Sequence, residues 1–152
     1  MKFRILSAFA AVAMLAACGV EDDGSVSDGS GSSALQQAFI EASGNDHVYF
    51  GLDRYDLDAD ARATLERQAA WLNGNSGVRV TIEGHADERG TREYNLALGE
   101  RRANSIQRYL SANGVDASRI QTVSYGKERP EVLGSGEAVW AKNRRGVTLV
   151  AN

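Results

Sequence analysis

The first 33 residues of this 152-residue chain constrain its fold most. They consist of a short apolar run and a Gly/Ser-rich segment, and neither can form a globular core, so the folded domain must lie in the rest of the chain. Lys2 and Arg4 precede an apolar run over residues 5–17. This run is shorter than the roughly 20 residues that a membrane-spanning helix requires. A basic start, a short apolar run and small residues at its end are typical of a secretory signal peptide. We therefore predict that residues 1–17 are a signal peptide that is removed from the mature chain.

The single cysteine, Cys18, follows the apolar run directly. Residues 15–18 read Leu-Ala-Ala-Cys, which resembles the bacterial lipobox, where the signal peptide is cut before a cysteine that is then acylated. One acyl chain binds a membrane only marginally and several bind it stably, so a triacylated Cys18 would be a lasting anchor. The resemblance to bacterial lipoproteins also implies sorting. An aspartate after the cysteine commonly retains a lipoprotein in the inner membrane, so Gly19 favours the outer membrane. The alternative is an ordinary buried cysteine beside a cleaved signal peptide; a single cysteine excludes an internal disulfide.

Residues 19–33 read GVEDDGSVSDGSGSS and contain hardly any apolar side chains. Such a segment cannot bury enough apolar surface to offset the entropy lost on ordering. We predict that residues 18–33 are a lipidated N-terminus and a disordered Gly/Ser linker. Removing residues 1–17 takes away two basic residues and changes the formal net charge from −3 to −5. An acidic chain lacks the basic field that attracts nucleic acid, so no nucleic-acid partner is expected.

Residues 34–152 have the usual size of one domain and are predicted to adopt an α/β (α+β) fold. A weak helical pattern over residues 34–42 is followed by strand, helix, strand, helix, strand, short helix and strand. Alternating or β-rich segments predict the strands, and apolar residues at near-helical spacing predict the helices. The strands are predicted at residues 47–50, 78–82, 120–125 and 146–150. The helices are predicted at residues 61–72, 92–113 and 136–142.

The most charged and glycine-rich stretch of the domain, residues 83–91, lies between the second strand and the longest helix. A loop that leaves a strand and opens a helix is a common place for ligand contacts. Gly90 and Thr91 are candidates for the helix N-cap, where free backbone N–H groups favour an anionic group.

Two adjacent arginines on the longest helix differ in their predicted orientation. On a helical wheel Arg102 borders the apolar arc that must face the sheet, whereas Arg101 points to solvent. Arg102 is therefore held near the domain body, where its guanidinium can bind a carboxylate through two hydrogen bonds. Asp87 and Arg102 together suit a zwitterionic ligand with an ammonium and a carboxylate. From the residues alone, a structural ion pair between Asp87 and Arg102 is an equally good interpretation.

Several segments of the domain closely resemble the OmpA-like peptidoglycan-binding domain family, in the variant found in peptidoglycan-associated lipoproteins. They are residues 48–53 (VYFGLD), 82–91 (IEGHADERGT), 93–95 (EYN), 98–103 (LGERRA), 123–126 (VSYG) and 142–145 (KNRR). The resemblance runs over residues 47–150 and implies a mixed sheet with helices packed against it. Three positions depart from the family pattern: Gly51, Leu52 and Gly146.

The resemblance implies a non-catalytic protein that binds the stem peptide of peptidoglycan by its meso-diaminopimelate, with no cofactor beyond the lipid on Cys18. Asp87 would take the side-chain ammonium of that residue, and Arg102 its side-chain carboxylate. The other positions expected to shape the pocket are Phe50, Gly90, Thr91, Asn95, Asn143 and Arg144.

The resemblance also implies partners and a location. The expected partners are TolB and the other Tol proteins, which act with such lipoproteins in envelope integrity and cell division. The domain would face the periplasm from the outer membrane. A lipoprotein of the same family that serves another envelope machine would differ only in its partner, and co-purification with TolB separates the two interpretations.

A periplasmic enzyme, such as a wall hydrolase or a metalloenzyme, is the alternative from another class. The same loop holds potential metal ligands: Glu83, His85, Asp87 and Glu88. Only Glu83 and His85 share a strand face, and a third ligand such as His47 would be fortuitous. No nucleophile–base pair is indicated, so we expect no catalysis and a structural, hydrogen-bonding role for His85. Trp71 and Trp140 are expected to be packing residues.

Overall fold

The computed structural model describes residues 29–151. The predicted signal peptide, Cys18 and most of the predicted linker lie outside the described residues. The elements in chain order are α1 (Gly29–Ser43), β1 (His47–Tyr49), α2 (Ala59–Gly74), β2 (Arg79–His85), α3 (Arg92–Ala112), a 3₁₀ turn (Ala117–Arg119), β3 (Ile120–Gly126), α4 (Glu137–Asn143) and β4 (Arg145–Ala151). Between residues 29 and 151, no helix has the length and apolar character needed to cross a membrane.

Every strand and helix predicted from the sequence is present, with small differences in its bounds. The largest difference concerns α1, which begins at Gly29 rather than at residue 34 and so takes in the end of the predicted linker. Phe39 is fully buried and Leu35 packs against the same core. Tertiary packing of this kind, rather than propensity, holds most protein helices, which is why the weakly helical serines and glycines ahead of it also join the helix.

The four strands form one mixed sheet in the order β1-β4-β2-β3, as the resemblance implied. β4 pairs antiparallel with both β1 and β2, while β2 and β3 are parallel. Parallel neighbours need a crossover connection, and α3 supplies it by packing against both of these strands. The apolar core lies between the sheet and the helices. Its fully buried members include Leu65, Leu72, Ile82, Ile106 and Leu110.

The predicted orientation of the two adjacent arginines on α3 is confirmed. Arg101 is exposed and Arg102 is completely buried. Arg102 lies on the same buried helix face as Ala103, Ile106 and Leu110. The side chain of Arg102, which was predicted to bind a carboxylate, therefore lies inside the domain.

A close approach between α3 and β2 places the start of the helix beside the end of the strand. A Cβ atom at Gly84 would lie 1.8 Å from the backbone oxygen of Gly99, so both elements need glycine at this contact. Gly146, which departs from the family pattern, is explained in a similar way. A Cβ atom there would lie 2.2 Å from Cδ1 of Ile106, whose side chain fills the space.

Candidate functional site

Three chain segments meet at one end of the sheet because of the strand directions. β1 and β2 both run antiparallel to β4, which lies between them. Their C-terminal ends therefore lie beside the N-terminal end of β4. The chain leaves β1 at Phe50, passes Asp87 after β2 and enters β4 after Arg144, so these three residues converge.

Asp87 is a buried carboxylate bound by guanidinium groups. Only 5% of the residue is exposed. Arg89 donates to it from Nε (3.1 Å), from Nη2 (2.7 Å) and from its backbone N–H (3.1 Å), and Nη1 of Arg144 lies 3.4 Å from Oδ2. Burial by itself would raise the pKa of Asp87, but the hydrogen bonds and charge of Arg89 and Arg144 outweigh it and the pKa is lowered. Asp87 is therefore ionised at neutral pH.

Arg102 binds backbone carbonyls rather than a carboxylate. Its Nε donates to the carbonyl oxygen of Arg54 (2.9 Å), Nη1 to that of His85 (2.7 Å) and Nη2 to that of Gly51 (3.1 Å). The structural ion pair with Asp87, one of the two sequence-based interpretations, is absent from the described contacts. Burial, together with the charge of Arg144, lowers the pKa of Arg102 to about 10, so the guanidinium remains charged at neutral pH.

Three of the five N–H groups of Arg102 are thus bound to protein carbonyls. Two of these carbonyls belong to the loop after β1, so Arg102 fixes that loop over the site. The guanidinium also lies 5.3 Å from the centre of the Phe50 ring. Arg102 therefore has a structural role in addition to any role in ligand binding.

Arg144 ties the first strand to the last. Its Nε donates to the carbonyl oxygen of Phe50 (2.9 Å), while the backbone N–H of Phe50 donates to the carbonyl oxygen of Arg144 (2.9 Å). Nη2 of Arg144 also donates to Glu137 on α4 (2.5 Å). Phe50 is 5% exposed and belongs to the core. Phe50 and Arg144 thus lie together with Asp87 and Arg102, four of the residues assigned to the site from the sequence.

The predicted residues at the start of α3 shape the loop. Thr91 is the N-cap, and its hydroxyl accepts a hydrogen bond from the N–H of Tyr94 (3.2 Å). The buried Asn95 donates to the carbonyl oxygens of Arg89 (2.7 Å) and Thr91 (3.0 Å). Gly90 lies between Arg89 and Thr91 in this turn, and its φ of +87° favours glycine.

Asn143 lies apart from this cluster in its contacts. Its side-chain oxygen accepts the N–H groups of Glu131 (2.8 Å) and Val132 (3.0 Å), and its amide donates to the carbonyl oxygen of Val132 (2.8 Å). The buried side chain therefore supports the loop that precedes α4. Among the contacts described for it, none reaches Asp87.

Sequence reasoning missed Arg89 and the residues that hold it in place. The Arg89 guanidinium lies 4.0 Å from the centre of the Trp140 ring. The indole N–H of Trp140 donates to Glu88 (2.8 Å), so this half-buried tryptophan closes one side of the site as well as packing. The hydrogen bond from the Arg89 N–H to Asp87 is an Asx-turn, which the Asp-Glu-Arg sequence could have suggested. The contact between Arg89 and Trp140 of α4 joins residues far apart in the chain, so no local sequence pattern indicates it.

His85 is buried and hydrogen-bonded, as expected for a structural histidine. Its Nε2 lies 3.1 Å from Oε2 of Glu83, and its ring tilts against that of Tyr125. Burial, with the positive charge of Arg145 adding to it, lowers the pKa of His85 to about 3. Within residues 29–151, no group of three or more His, Cys, Asp and Glu side chains could hold a metal ion. The metalloenzyme alternative thus lacks a ligand cluster in that range.

The lowered pKa of His85 predicts that the folded domain loses stability in acid. The unfolded chain takes up a proton on His85 near pH 6.5, whereas the folded chain does so only near pH 3. The free energy of unfolding should therefore fall by up to about 1.4 kcal/mol per pH unit as the pH drops below 6.5. Urea denaturation between pH 7.5 and 4.5 measures this slope. The His85→Gln variant should show a flatter slope, and equal slopes would contradict the assignment to His85.

The OmpA family model matches residues 49–144 of the chain. The chain belongs to the OmpA family. It is 45% identical over 148 residues to the peptidoglycan-associated lipoprotein of Pasteurella multocida, covering 95% of each chain. It is 43% identical over 143 residues to that of Haemophilus influenzae, covering 90% of each. The crystal structure of the peptidoglycan-associated lipoprotein from Burkholderia pseudomallei matches with a TM-score of 0.69 at 42% identity, over 71% of this chain and 92% of that one.

Membership of the OmpA family confirms the resemblance and the mixed α/β fold. The matched residues run from Tyr49 to Arg144 and so include every predicted site residue of the domain. The relatives of the OmpA family to which the chain is similar are named lipoproteins that are associated with peptidoglycan. They are not enzymes, in agreement with the non-catalytic role expected from the sequence.

Proposed function

We propose that this chain is a lipoprotein of the outer membrane that binds peptidoglycan without a covalent bond and so tethers the membrane to the cell wall. Its lipid would be carried by Cys18, and its domain would face the periplasm. Support comes from the family and from relatives whose name states an association with peptidoglycan.

The observation that carries the proposal is an ionised, buried Asp87 surrounded by guanidinium groups. Arg89 and Arg144 contact its carboxylate, and Arg102 is close enough to interact with it electrostatically. A carboxylate of this kind attracts an ammonium, and the neighbouring cations attract a carboxylate. The side chain of meso-diaminopimelate ends in both groups, whereas lysine offers the ammonium alone. We therefore propose meso-diaminopimelate in the stem peptide as the ligand, with its ammonium on Asp87 and its carboxylate on Arg102.

The expected strength of this contact suits a tether. A hydrogen bond to a charged group contributes about 1.5–3 kcal/mol, so two such contacts with some apolar packing would give roughly micromolar affinity. Contacts of this strength form and break readily. Many of them acting together would hold the membrane while the wall is remodelled.

Replacing Asp87 by asparagine should abolish most of the binding. The substitution keeps the size of the side chain but removes the charge that attracts the ammonium, so we expect affinity to fall by about 10- to 100-fold. Sedimentation of the mature chain with purified diaminopimelate-type peptidoglycan measures this loss. Asp60→Asn, in the exposed first turn of α2, is the matched control. Undiminished sedimentation of the Asp87 variant would contradict the site, and lysine-type peptidoglycan should bind more weakly to the unmodified chain.

We further propose that TolB and the other Tol proteins are partners, and that the chain acts with them in envelope integrity and cell division. The family resemblance supports this, and the surface for TolB would lie on the same face as the peptidoglycan site. Co-purification of TolB with the chain from membranes tests the proposal. Recovery of a different envelope complex, without TolB, would overturn it while leaving peptidoglycan binding intact.

A further inference from the structure

Arg89 is hydrogen-bonded to Asp87, whose carboxylate the ammonium of the proposed ligand would need. Its guanidinium makes two hydrogen bonds to Asp87, and its backbone N–H makes a third. The Asp87 side chain is 6% exposed and that of Arg89 is 34% exposed, so Arg89 is the solvent-exposed member of the pair. An ammonium group that binds Asp87 in place of this guanidinium would have to displace it.

Arg89 is also the least constrained by contacts of the three guanidinium groups described around Asp87. Arg102 is completely buried and bound to three carbonyls. Arg144 is held by the carbonyl oxygen of Phe50 and by Glu137, and its side chain is 7% exposed. Arg89 has Asp87 as its only side-chain hydrogen-bond partner within residues 29–151, and its guanidinium also lies against the face of the Trp140 ring.

The backbone around Arg89 is fixed, so that movement can be confined to the side chain. Asn95 binds the carbonyl oxygen of Arg89 at 2.7 Å. The preceding residue, Glu88, accepts hydrogen bonds from Ser135 and from the indole N–H of Trp140. The guanidinium can leave Asp87 while the loop keeps its conformation.

We propose that Arg89 is a displaceable internal counter-ion that sets the specificity of the site. The ligand exchanges with the Asp87–Arg89 ion pair, so that its ammonium takes the place of the guanidinium on Asp87, and its carboxylate, placed on Arg102, also receives the released guanidinium of Arg89. This inference rests on the proposed function, because it concerns the same Asp87 and the same zwitterionic ligand.

Charge balance explains why such an exchange discriminates between ligands. A zwitterion supplies a partner for both members of the broken pair, so no charge near the buried carboxylate loses its counter-ion. An ammonium ligand without the carboxylate pairs with Asp87 but leaves the Arg89 guanidinium without its anion. Separating one ion pair without forming two new ones is unfavourable in a poorly solvated site. Diaminopimelate should therefore be preferred over lysine partly because of Arg89.

The test is calorimetric titration of the mature chain with two soluble muropeptides that carry either diaminopimelate or lysine at the third position of the stem. The unmodified chain should prefer the diaminopimelate ligand by about tenfold or more. In Arg89→Gln this ratio should fall several-fold, because the lysine ligand no longer leaves a guanidinium without its anion and the diaminopimelate ligand no longer pairs its carboxylate with Arg89. Arg92→Gln is the matched control, because Arg92 is exposed and pairs with Glu128. It should keep the ratio.

Trp140 provides a second measurement. In a Trp71→Phe background, binding of the diaminopimelate ligand should change the fluorescence of Trp140 as Arg89 leaves its ring, and Arg89→Gln should remove that change. An unchanged affinity ratio in Arg89→Gln, or an equal loss for both ligands, would overturn the inference. If the unmodified chain binds neither muropeptide, the proposed function fails instead.

Discussion

Replacing Arg102 by alanine is expected to destabilise the domain by about 3 kcal/mol and to abolish peptidoglycan binding. The side chain is completely buried and binds three carbonyl oxygens, from Gly51, Arg54 and His85. A buried carbonyl that loses its donor costs about 1–3 kcal/mol, and the two carbonyls in the exposed loop can regain part of this from water. Without these hydrogen bonds the loop after β1 would lose its position over the site, even where the rest of the domain stays folded. Urea denaturation and sedimentation with peptidoglycan measure the two effects.

Arg101→Ala is the control for this prediction. The two arginines are adjacent on α3, but Arg101 is exposed and should tolerate the change within about 0.5 kcal/mol. Arg102→Lys separates charge from geometry, because an ammonium cannot reproduce the planar set of donors. Binding of the Arg102 variants should be compared at a temperature where they remain folded. Equal stabilities of the Arg101→Ala and Arg102→Ala proteins would contradict the structural role of Arg102.

Gly84→Ala should destabilise the fold by about 3 kcal/mol or more. A Cβ atom at Gly84 would lie 1.8 Å from the backbone oxygen of Gly99, and a backbone atom cannot turn away as the end of a side chain can. Overfilling a packed interior costs about 1–3 kcal/mol, and occasionally more when the backbone has to move. α3 would have to shift away from β2, and the loop that carries Asp87 between them would shift with it. A lower midpoint of thermal unfolding and weaker peptidoglycan binding should therefore appear together.

Gly74→Ala provides the contrast, because a Cβ atom at the end of α2 would meet nothing within 4 Å. Alanine is the better helix former by up to about 1 kcal/mol, so this variant should be as stable as the unmodified protein or more stable. A Gly84→Ala protein that unfolds at the same temperature as Gly74→Ala would show that α3 does not press on β2 as described.

The secondary structure could be predicted well because its signals are local. Asp58 caps α2 by accepting the N–H of Ala61 (2.8 Å), and Thr91 caps α3 in the same way, as the acidic and hydroxyl residues at these positions indicate. The start of α1 was predicted less well. Its helical pattern is weak, and packing of Phe39 into the core holds a segment whose composition favours a linker.

The candidate site was only partly predictable. The helical wheel correctly turned Arg102 inward, but a wheel shows which side of a helix is buried and not which groups face it. The carbonyls of Gly51 and Arg54 come from the loop after β1, far along the chain, so these structural partners of Arg102 were not predicted. Arg89 was overlooked for a related reason, because its contact with Trp140 joins two distant loops.

Local sequence patterns were enough to deduce the order of strands and helices, the inward orientation of Arg102 and the cluster of charge around Asp87. Periodicity, capping and composition act between residues that are close along the chain, so these features can be seen without a fold. Local patterns do not reveal which cation pairs with Asp87 or which groups Arg102 binds. Those contacts follow from the strand order β1-β4-β2-β3, which brings the ends of β1 and β2 to the start of β4. Strand pairing joins residues that are remote in sequence, and no local pattern records it.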